Sequence, residues 1–292
     1  MSTPDQSADQ PLRIAVPNKG SLSEGAAAIL REAGYSQRSD SKQLVHFDAD
    51  TAVEFFYLRP TDIATYVGEA TVDVGITGRD MLIESGTAAD EVLGLGFARS
   101  RLRFAAPVGS AMTADKLDGL RIASTYPRLV EQHLAASGVA PRLIHLDGAV
   151  EVAVRLGIAD VVADVVETGT TLRQAGLEVF GDPIISSEAI LIRPRSQPQL
   201  PPAFDTLVRR LNGVLIARTY VMMDYDVDQD HLEAAAAITP GFESPTIAPL
   251  SREGWYAVRA MVERKRAQQV MDDLWQVGAR AILVTDIAAS RL

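Results

Sequence analysis

The sequence contains no cysteine, and histidine is scarce. The absence of cysteine excludes disulfide bridges, thiolate zinc sites and cysteine nucleophiles. The four histidines, His46, His133, His145 and His231, are scattered along the chain without the spacing of metal ligands. We therefore expect ordinary surface or core histidines and a chemistry that depends on other side chains.

Long apolar runs and an excess of positive charge are also missing. No run reaches the roughly 18 residues of a membrane-spanning helix, and the polar start, MSTPDQSADQP, lacks the apolar stretch of a secretory signal. The net charge is −10, from 28 basic and 38 acidic residues, whereas general binders of nucleic acid or anionic membranes need a basic surface. The sequence predicts a cytoplasmic protein with no nucleic-acid or membrane partner, in which residues 1–11 form a disordered tail.

The residues that are present are typical of a globular α/β protein. The 292 residues are 47% hydrophobic and 23% charged, and the length suits two or three domains. Strand-like and helix-like segments alternate in the order LRIAVP, SEGAAAILREAG, VEFFYLRP, PTDIATYVGEA and VDVGITG. This alternation predicts a largely parallel sheet covered by helices.

Two short motifs recur in the same order along the chain. LRIA at Leu12–Ala15 returns at Leu120–Ala123, and DVGITG at Asp73–Gly78 returns as DVVETG at Asp164–Gly169. Either match alone is explained by chance, but the two together favour a duplicated lobe.

Strand-like segments at residues 95–109 and 185–195 flank the second copy and predict crossovers between two lobes. Lobe I would comprise residues 12–100 and 186–200, and lobe II residues 101–185. Ligands of such a two-lobed clamp bind in the cleft, near the carboxyl ends of the strands.

A different pattern follows the proline-rich segment RPRSQPQLPPA, which predicts a stiff linker. The later segments predict the order strand, helix, strand, strand, helix, strand, which is that of a ferredoxin-like unit. We expect this compact domain, often a regulatory one, to occupy residues 204–292.

The segment DVVETGTTL, residues 164–172, marks a strand that becomes a helix. Exposed amides at a helix N-terminus, a glycine and threonine hydroxyls suit a monophosphate, although a threonine that merely caps the helix fits the segment equally well. The glycine-rich, lysine-containing Walker A pattern is absent. Asp164 could bind ribose hydroxyls or the magnesium of a diphosphate, or it could be a solvated acid at a strand end.

Charged residues also follow the predicted strands of lobe I. Lys19, Arg59 and Arg79 come at strand ends, as expected for a polyphosphate site, and Asp80 follows Arg79. A single cation is more often a plain surface charge, but three in one lobe favour a ligand. Tyr126 follows the first strand of lobe II and could stack on a base or ribose, or simply pack.

Together these motifs resemble the long form of ATP phosphoribosyltransferase, the first enzyme of histidine biosynthesis. The resemblance runs from Leu12 to the C-terminus. It is carried by RIAVPNKGSLSE, FFYLRPTDIATYVG, VDVGITGRD, RIASTYPRLV, LDGAVEVAVRLGIADVVADVVETGTTLRQAGL and ITPGFESPTIAPL.

The resemblance implies a two-lobed catalytic unit with a fold like that of periplasmic binding proteins, followed by an ACT-like domain that binds histidine. It implies that the enzyme joins ATP to phosphoribosyl pyrophosphate (PRPP) with Mg²⁺, forming N1-(5-phospho-β-D-ribosyl)-ATP and pyrophosphate. It further implies homo-oligomers, from dimer to hexamer, and feedback inhibition by L-histidine.

The matching motifs also imply three sets of site residues. PRPP would be bound by Asp164, Glu167, Thr168, Gly169, Thr170 and Thr171. The ATP and pyrophosphate side would be lined by Lys19, Asp40, Arg59, Asp80 and Tyr126. The histidine pocket would contain Asp226, Thr246 and Ala281. Magnesium would enter through the substrate diphosphate, with Asp164 as a candidate ligand.

The chain departs from many family members at Glu167-Thr168-Gly169-Thr170. A carboxylate beside a phosphate is repulsive, so we expect the Glu167 side chain to turn away and only its backbone to contribute. A different class, a non-catalytic two-lobed sensor or solute-binding protein, also fits a clamp. The missing secretory signal counts against a periplasmic role, and the missing helix-turn-helix pattern against a transcription regulator.

Overall fold

The computed structural model describes residues 10–166 and 169–291, so the predicted site residues Glu167 and Thr168 and most of the predicted tail lie outside the described residues. The described chain divides into two compact units. The first contains the residues up to Arg31 together with Tyr35–Phe204, and the second contains Glu32–Gly34 together with the residues from Asp205 onward.

The elements of the first unit alternate along the chain as the sequence predicts. Its strands are β1 (Leu12–Pro17), β2 (Val45–Asp48), β3 (Val53–Leu58), β4 (Val74–Gly78), β5 (Ala89–Gly94), β6 (Ser100–Pro107), β7 (Arg121–Ser124), β8 (Arg142–His145), β9 (Val161–Val166), β10 (Leu177–Ser187) and β11 (Ala189–Pro194). Its helices are α1 (Gly20–Glu32), α2 (Pro60–Gly68), α3 (Arg79–Ser85), α4 (Pro127–Ala135), α5 (Val152–Arg155) and α6 (Thr170–Gln174).

These strands form two sheets, which define two lobes. The sheet of lobe I has the order β2-β3-β1-β4-β11-β5, and the sheet of lobe II has the order β10-β6-β9-β7-β8. The chain passes from lobe I to lobe II between β5 and β6, and it returns between β10 and β11.

The central strand β4 shows why helices cover the sheet of lobe I. All five of its residues are buried, as expected for a strand that is packed on both faces. Gly75 on β4 lets α2 approach closely, since a Cβ there would meet Ile63 Cγ2 at 2.6 Å and Val67 Cγ2 at 2.9 Å. Ile63 and Val67 are fully buried against Ile190 and Ile192 of β11 in the core of lobe I.

The two lobes repeat one topology. The order β3-β1-β4-β11-β5 in lobe I corresponds to β8-β7-β9-β6-β10 in lobe II, and the first three strands of each run parallel. The internal repeat seen in the sequence therefore has a structural counterpart, although each lobe takes its antiparallel fourth strand from a different part of the chain.

The structure corrects the alignment of the two repeats. Ile14 is registered with Val74 and Ile122 with Val161, so the counterpart of Asp73 is Asp160 and not Asp164. Asp73 accepts the N–H of Arg13 at 2.8 Å, and Asp160 accepts the N–H of Arg121 at 3.0 Å. The match of Asp73 to Asp164 was therefore wrong by four residues, because the DV pair occurs twice in ADVVADVVETG.

The second unit contains α7 (Ala203–Thr219), β12 (Tyr220–Asp228), α8 (Leu232–Ile238), β13 (Thr246–Pro249), β14 (Trp255–Glu263), α9 (Ala267–Gln276) and β15 (Arg280–Asp286). The sheet order β13-β14-β12-β15 is antiparallel throughout, as in a ferredoxin-like unit. Its two later helices cover one face of the sheet, whose core includes Met223, Tyr225 and Leu274. The predicted fold class, a two-lobed α/β unit and a ferredoxin-like domain, is confirmed.

Helix α7 was not predicted. Leu207, Leu211, Val214 and Ala217 are buried at a helical spacing, but the preceding prolines suggested only a linker. Across the described residues, none of the helices combines the length and the apolar character that a membrane crossing requires.

Candidate active site

Three predicted residues follow neighbouring parallel strands of lobe I. Strands β3, β1 and β4 lie side by side, and Pro17 is registered with Leu58, so Lys19 and Arg59 come just past the same edge of the sheet. Asp80 lies in the first turn of α3, directly after β4. Lys19 and Arg59 are exposed, whereas Asp80 is only 5% exposed. The edge therefore combines two accessible cations with one buried carboxylate.

A serine of the return crossover holds the carboxylate of Asp80. The Ser187 hydroxyl donates to Asp80 Oδ1 at 2.8 Å and accepts the Asp80 N–H at 3.1 Å. The same Oδ1 accepts the N–H of Met81 at 3.0 Å. Because Ser187 is buried at the end of β10, the orientation of Asp80 is fixed where the two lobes connect.

Tyr126 reaches this cluster from lobe II. Its phenol lies beside the Asp80 carboxylate. Burial raises the pKa of the Tyr126 phenol, and the carboxylates of Asp80, Asp164 and Glu84 raise it further. Tyr126 is therefore a protonated donor at neutral pH. Three predicted site residues, one from lobe I and two from lobe II, meet at this point.

The backbone of Tyr126 is fixed by Ser124, the last residue of β7. The buried Ser124 hydroxyl accepts the Tyr126 N–H at 2.9 Å and donates to the carbonyl of Ala163 at 2.7 Å. Ser124 and Ala163 are partners in the parallel pair β7·β9, so Tyr126, two residues after β7, and Asp164, in the second half of β9, lie near the same edge. This register brings the two predicted residues together.

Asp164 faces a cavity at the end of β9. Burial raises the pKa of its carboxyl, the N–H of Val165 at 2.8 Å lowers it, and the carboxylate of Glu151 raises it again, for a net increase. The cavity has a volume of about 310 Å³, and Glu151, Gly169 and Thr171 also line it. A carboxylate with this environment is a candidate for a functional role.

In the described part of the predicted phosphate loop, the chain changes direction at Gly169. Gly169 has a φ of 69° and a ψ of 11°, a left-handed conformation that glycine adopts readily, and it precedes the first turn of α6. Thr171 lines the cavity, Thr170 begins the helix, and both are exposed. The preceding residues Glu167 and Thr168 lie outside the described residues.

Asp40 lies in an exposed loop beside the carboxyl ends of β1 and β3. Its Oδ1 accepts the N–H of Lys42 at 2.9 Å. Arg38 anchors this loop, because its guanidinium stacks 4.0 Å from the centre of the Tyr57 ring and donates to the carbonyl of Asn18 at 3.1 Å. Asp40 is therefore on the side of the cleft that Lys19 and Arg59 also occupy.

The structure corrects the grouping of Arg79 with the accessible cations. Arg79 Nε and Nη2 donate to the two oxygens of Glu91 at 2.8 Å and 2.7 Å, and Nη2 also donates to Glu188 at 3.2 Å. These contacts join α3 to β5 and to the return crossover. A cavity of about 590 Å³ adjoins them, and Arg99, Arg101 and Ser187 contribute to its wall.

In the second unit, the three residues predicted to bind histidine lie in one sheet but are not adjacent. Asp226 is registered with Ala257, whereas Thr246 is registered with Arg259, so two strand spacings of about 10 Å in all separate Asp226 and Thr246. Ala281 lies at a bulge of β15 beside Asp226, with a φ of 49°. Within one copy of the chain, strand β14 therefore lies between Thr246 and the other two residues.

Known proteins are similar to this chain over nearly its whole length. A sequence model described as ATP phosphoribosyltransferase matches residues 59–213, and one described as HisG, C-terminal domain, matches residues 217–289. An ATP phosphoribosyltransferase of Streptomyces avermitilis is 59% identical over 284 residues, which are 96% of this chain and 100% of the relative. The chain belongs to the ATP phosphoribosyltransferase family.

Other relatives agree with this assignment. An ATP phosphoribosyltransferase of Salinispora tropica is 60% identical over 281 residues, 96% of this chain and 100% of the relative. Among solved structures, a chain of the ATP phosphoribosyl transferase (HisG:HisZ) complex from Thermotoga maritima matches with a TM-score of 0.59 at 27% identity. That match covers 69% of this chain and 96% of the Thermotoga chain.

As a member of the ATP phosphoribosyltransferase family, the protein is a glycosyltransferase that acts on ATP in histidine biosynthesis. The comparisons do not favour the alternative of a non-catalytic sensor. Phosphoribosyltransferases typically use a metal ion, and within residues 10–166 and 169–291 there is no group of three or more acidic or histidine side chains suited to hold one. The donors that are available, Asp164 with Glu151 nearby, fit a metal whose other ligands are substrate oxygens and water.

Sequence reasoning missed the residues that orient this ATP phosphoribosyltransferase site. Ser124 and Ser187 were visible only as hydroxyls at strand ends, in RIAS and IISS. Their roles depend on parallel register and on the return crossover, which no local pattern reveals. Glu84 and Glu151 were plain helix-associated acids in the sequence, and only the fold brings them close to Tyr126 and Asp164.

Proposed function

We propose that the protein catalyses attack of adenine N1 of ATP on the anomeric carbon of PRPP. The N1–C bond forms as the C–O bond to pyrophosphate breaks, and pyrophosphate leaves with the electron pair. The cluster of Asp80, Tyr126 and Asp164 carries this proposal, because it joins both lobes at the carboxyl ends of their parallel strands.

The reaction needs no side-chain nucleophile, since N1 itself attacks. Catalysis then comes from aligning N1 with the anomeric carbon and stabilising the charge on the leaving pyrophosphate. The enclosed cluster suits the first task, and the exposed cations Lys19 and Arg59 suit the second. This division of labour is consistent with a chain that has no cysteine.

On the PRPP side, Asp164 contacts the ribose hydroxyls and the loop Glu167–Thr171 binds the 5′-phosphate. The left-handed Gly169 and the adjoining cavity with Thr171 support this assignment. A carboxylate at position 167 would repel a phosphate, so Glu167 contributes its backbone, alongside Thr168 and Thr170. Charge-assisted hydrogen bonds of roughly 1.5–3 kcal/mol each anchor the non-reacting phosphate, and this remote binding helps to orient the reacting centre.

On the ATP side, Tyr126 and Asp80 contact the nucleoside, while Lys19, Arg59 and Asp40 line the polyphosphate and pyrophosphate region. The shared edge of β3, β1 and β4 supports this grouping. Arginine binds phosphate oxygens in pairs, and lysine acts as a point charge.

Asp164 would be the protein ligand for a magnesium ion held mainly by the diphosphate of PRPP. When bound, the ion would supply neutralisation of the charge on the leaving diphosphate. The protein residues bind and orient the two substrates around it. Since ATP and PRPP are cytoplasmic metabolites, the reaction takes place in the cytoplasm.

The second unit binds L-histidine as a feedback inhibitor through Asp226, Thr246 and Ala281. A carboxylate suits the α-ammonium group of an amino acid, and Asp226 lies beside the bulge at Ala281. The separation of Thr246 from Asp226 within one chain supports a pocket completed by a second copy. The protein is accordingly a homo-oligomer, from dimer to hexamer.

The proposal is tested by mixing the protein with ATP, PRPP and Mg²⁺ and following the ultraviolet absorbance of the N1-substituted adenine. We expect product that depends on all three components and on Asp164. Tight binding of PRPP by folded protein without any turnover would contradict the proposal.

A further inference from the structure

An acid of lobe I caps a helix of lobe II. The Glu84 Oε1 accepts the N–H of Arg128 at 3.1 Å, and its Oε2 accepts the N–H of Leu129 at 3.0 Å. Residue Tyr126 occupies the N-cap position of α4 but makes no side-chain capping bond, and Pro127 begins the helix without an N–H. The amides that a local cap would satisfy are thus satisfied from the opposite lobe.

The contact is reciprocal. The guanidinium of Arg128, in the first turn of α4, lies against Gly86, where an added Cβ would meet it unless the Arg128 side chain moved. Gly86 is the left-handed C-cap of α3, with a φ of 61°. An anion from α3 therefore meets the N-terminus of α4, and a cation from α4 meets the C-terminus of α3. Both placements are favourable for the helix dipoles.

Glu84 and Asp80 are four residues apart on α3, which puts them on one face of the helix. Asp80 lies beside the phenol of Tyr126, while Glu84 accepts the backbone N–H groups just after Tyr126. Glu84 and Tyr126 also border a common cavity of about 150 Å³ between α3 and α4. One helix of lobe I thus fixes both the side chain and the following backbone of Tyr126.

We propose that Glu84 is a positioning residue for phosphoribosyl transfer: it anchors the first turn of α4 and so places the Tyr126 hydroxyl on Asp80. This inference rests on the proposed function, because it assumes that Tyr126 contacts the nucleotide. Glu84 itself does not touch the substrate in this scheme. Its effect on the reaction passes through Tyr126, and a displacement of about 1 Å at a reacting group can cost 100-fold in rate.

The first test compares Glu84→Ala, Glu84→Gln and Glu131→Ala in the full-length protein. Glu131 is an exposed acid on the same helix α4 and serves as the matched control. We expect Glu84→Ala to lower kcat/KM for ATP by about 10–100-fold. The isosteric Glu84→Gln keeps one acceptor oxygen and should show a smaller loss, and Glu131→Ala should stay within about twofold of the unmodified protein.

The second test separates positioning from a general effect on folding. Tyr126→Phe keeps the ring but removes the hydroxyl that lies beside Asp80. If Glu84 acts through that hydroxyl, Glu84→Gln should reduce kcat/KM clearly less in the Tyr126→Phe background than in the unmodified protein, because the two changes share one pathway. The proposal would be overturned if the losses of kcat/KM caused by Glu84→Gln and Tyr126→Phe multiplied fully in the double variant. Normal kinetics of both Glu84 variants would also overturn it.

The outcome for the unmodified protein distinguishes the two levels of inference. If it makes no product from ATP and PRPP, the proposed function itself fails. If it is active and both Glu84→Ala and Glu84→Gln, with their folds verified by circular dichroism, match it in kcat and KM, only the role of Glu84 is wrong.

Discussion

Asp160 lies just before β9, and Asp164 lies within it, four residues later. The two carboxylates have opposite electrostatic environments. The Arg121 side chain holds the pKa of the Asp160 carboxyl below its usual value, whereas burial raises the pKa of Asp164. Asp160 favours folding once it is ionised, and Asp164 disfavours folding when it is ionised. At the scale of single residues, Asp160 is a structural acid and Asp164 is retained in spite of its cost to stability.

We predict that Asp164→Asn abolishes or severely reduces transfer yet raises the thermal stability of the protein at neutral pH. Because burial raises the folded-state pKa of Asp164, the contribution of this residue to folding stability is fully present below about pH 4. That contribution is lost as the pH rises through the folded-state pKa. The Asn variant should therefore gain stability over the unmodified protein at pH 7 and lose that advantage near pH 4. Thermal denaturation at both values measures this difference.

Asp160→Asn is the matched comparison. Its pKa is lowered by Arg121, so its stabilising effect is present above the unfolded pKa and lost as the pH falls through the folded one. This variant should be less stable than the unmodified protein at pH 7. Equal shifts of the same sign in both variants would contradict the assignment of the two environments.

Ser187→Ala should disturb Asp80 specifically. The change leaves a buried carboxylate without its hydroxyl donor, which typically costs about 1–3 kcal/mol, and it frees Asp80 to leave Tyr126. We expect lower stability in urea denaturation together with a higher KM for ATP. Ser186→Ala, at the exposed neighbouring position, should leave both quantities nearly unchanged.

At the scale of elements, most strands and helices were predictable, because their hydrophobic periodicity and the turn and capping residues at their ends agree with the fold. Helix α7 shows the limit, since its buried leucines have helical spacing but the prolines before it dominated the interpretation. The register of β9 shows a second limit. Because the DV pair occurs twice, the sequence allows Asp73 to be aligned with Asp160 or with Asp164, and only the pairing of β9 with β7 decides between them. Site residues at strand ends could be predicted, whereas Ser124, Ser187 and Glu84 depend on contacts between distant segments.

The bulge of β15 gives a prediction at this scale. Ala281 and Ile282 face the single residue Tyr225, and Ala281 has a φ of 49°, in the left-handed region. A left-handed alanine costs roughly 1–2 kcal/mol, part of which glycine relieves. Ala281→Gly should therefore raise the free energy of unfolding by about 0.5–1 kcal/mol in urea titration, net of the greater chain entropy of glycine.

Ala279→Gly is the contrasting variant, since Ala279 is fully buried in the core of the same unit. It loses a packed methyl group and gains chain entropy, so it should be destabilising. A destabilising Ala281→Gly would mean that the bulge does not impose the strained conformation in solution.

At the scale of the whole molecule, an acidic chain binds two strongly anionic substrates. Its net charge of −10 gives no long-range attraction for ATP or PRPP, so affinity must come from locally presented groups, for which we propose Lys19, Arg59 and the amides of the predicted phosphate loop. Overall charge therefore argues against general nucleic-acid binding without excluding a phosphate site.

Regulation is also a property of the whole molecule. We predict that Asp226→Ala weakens histidine inhibition and leaves uninhibited activity largely intact, because its carboxylate pairs with the α-ammonium group. Inhibition curves for the unmodified protein, Asp226→Ala and the exposed control Asp272→Ala provide the measurement. Coupling of about 1–3 kcal/mol is reciprocal, so substrates should also weaken histidine binding. Unchanged inhibition of Asp226→Ala would refute the pocket.

The late return of β11 to lobe I has a consequence for biosynthesis on the ribosome. β4 pairs with β11 on one side, and β5 joins the sheet only through β11, which begins about 110 residues after β4 ends. At roughly 5–20 residues per second, the nascent chain therefore exposes an open, apolar sheet edge for about 5–20 seconds. Lobe II acquires all of its strands in one continuous stretch, so the lobe that is translated second can be completed first. Chaperone demand should accordingly be greatest while lobe II is being translated.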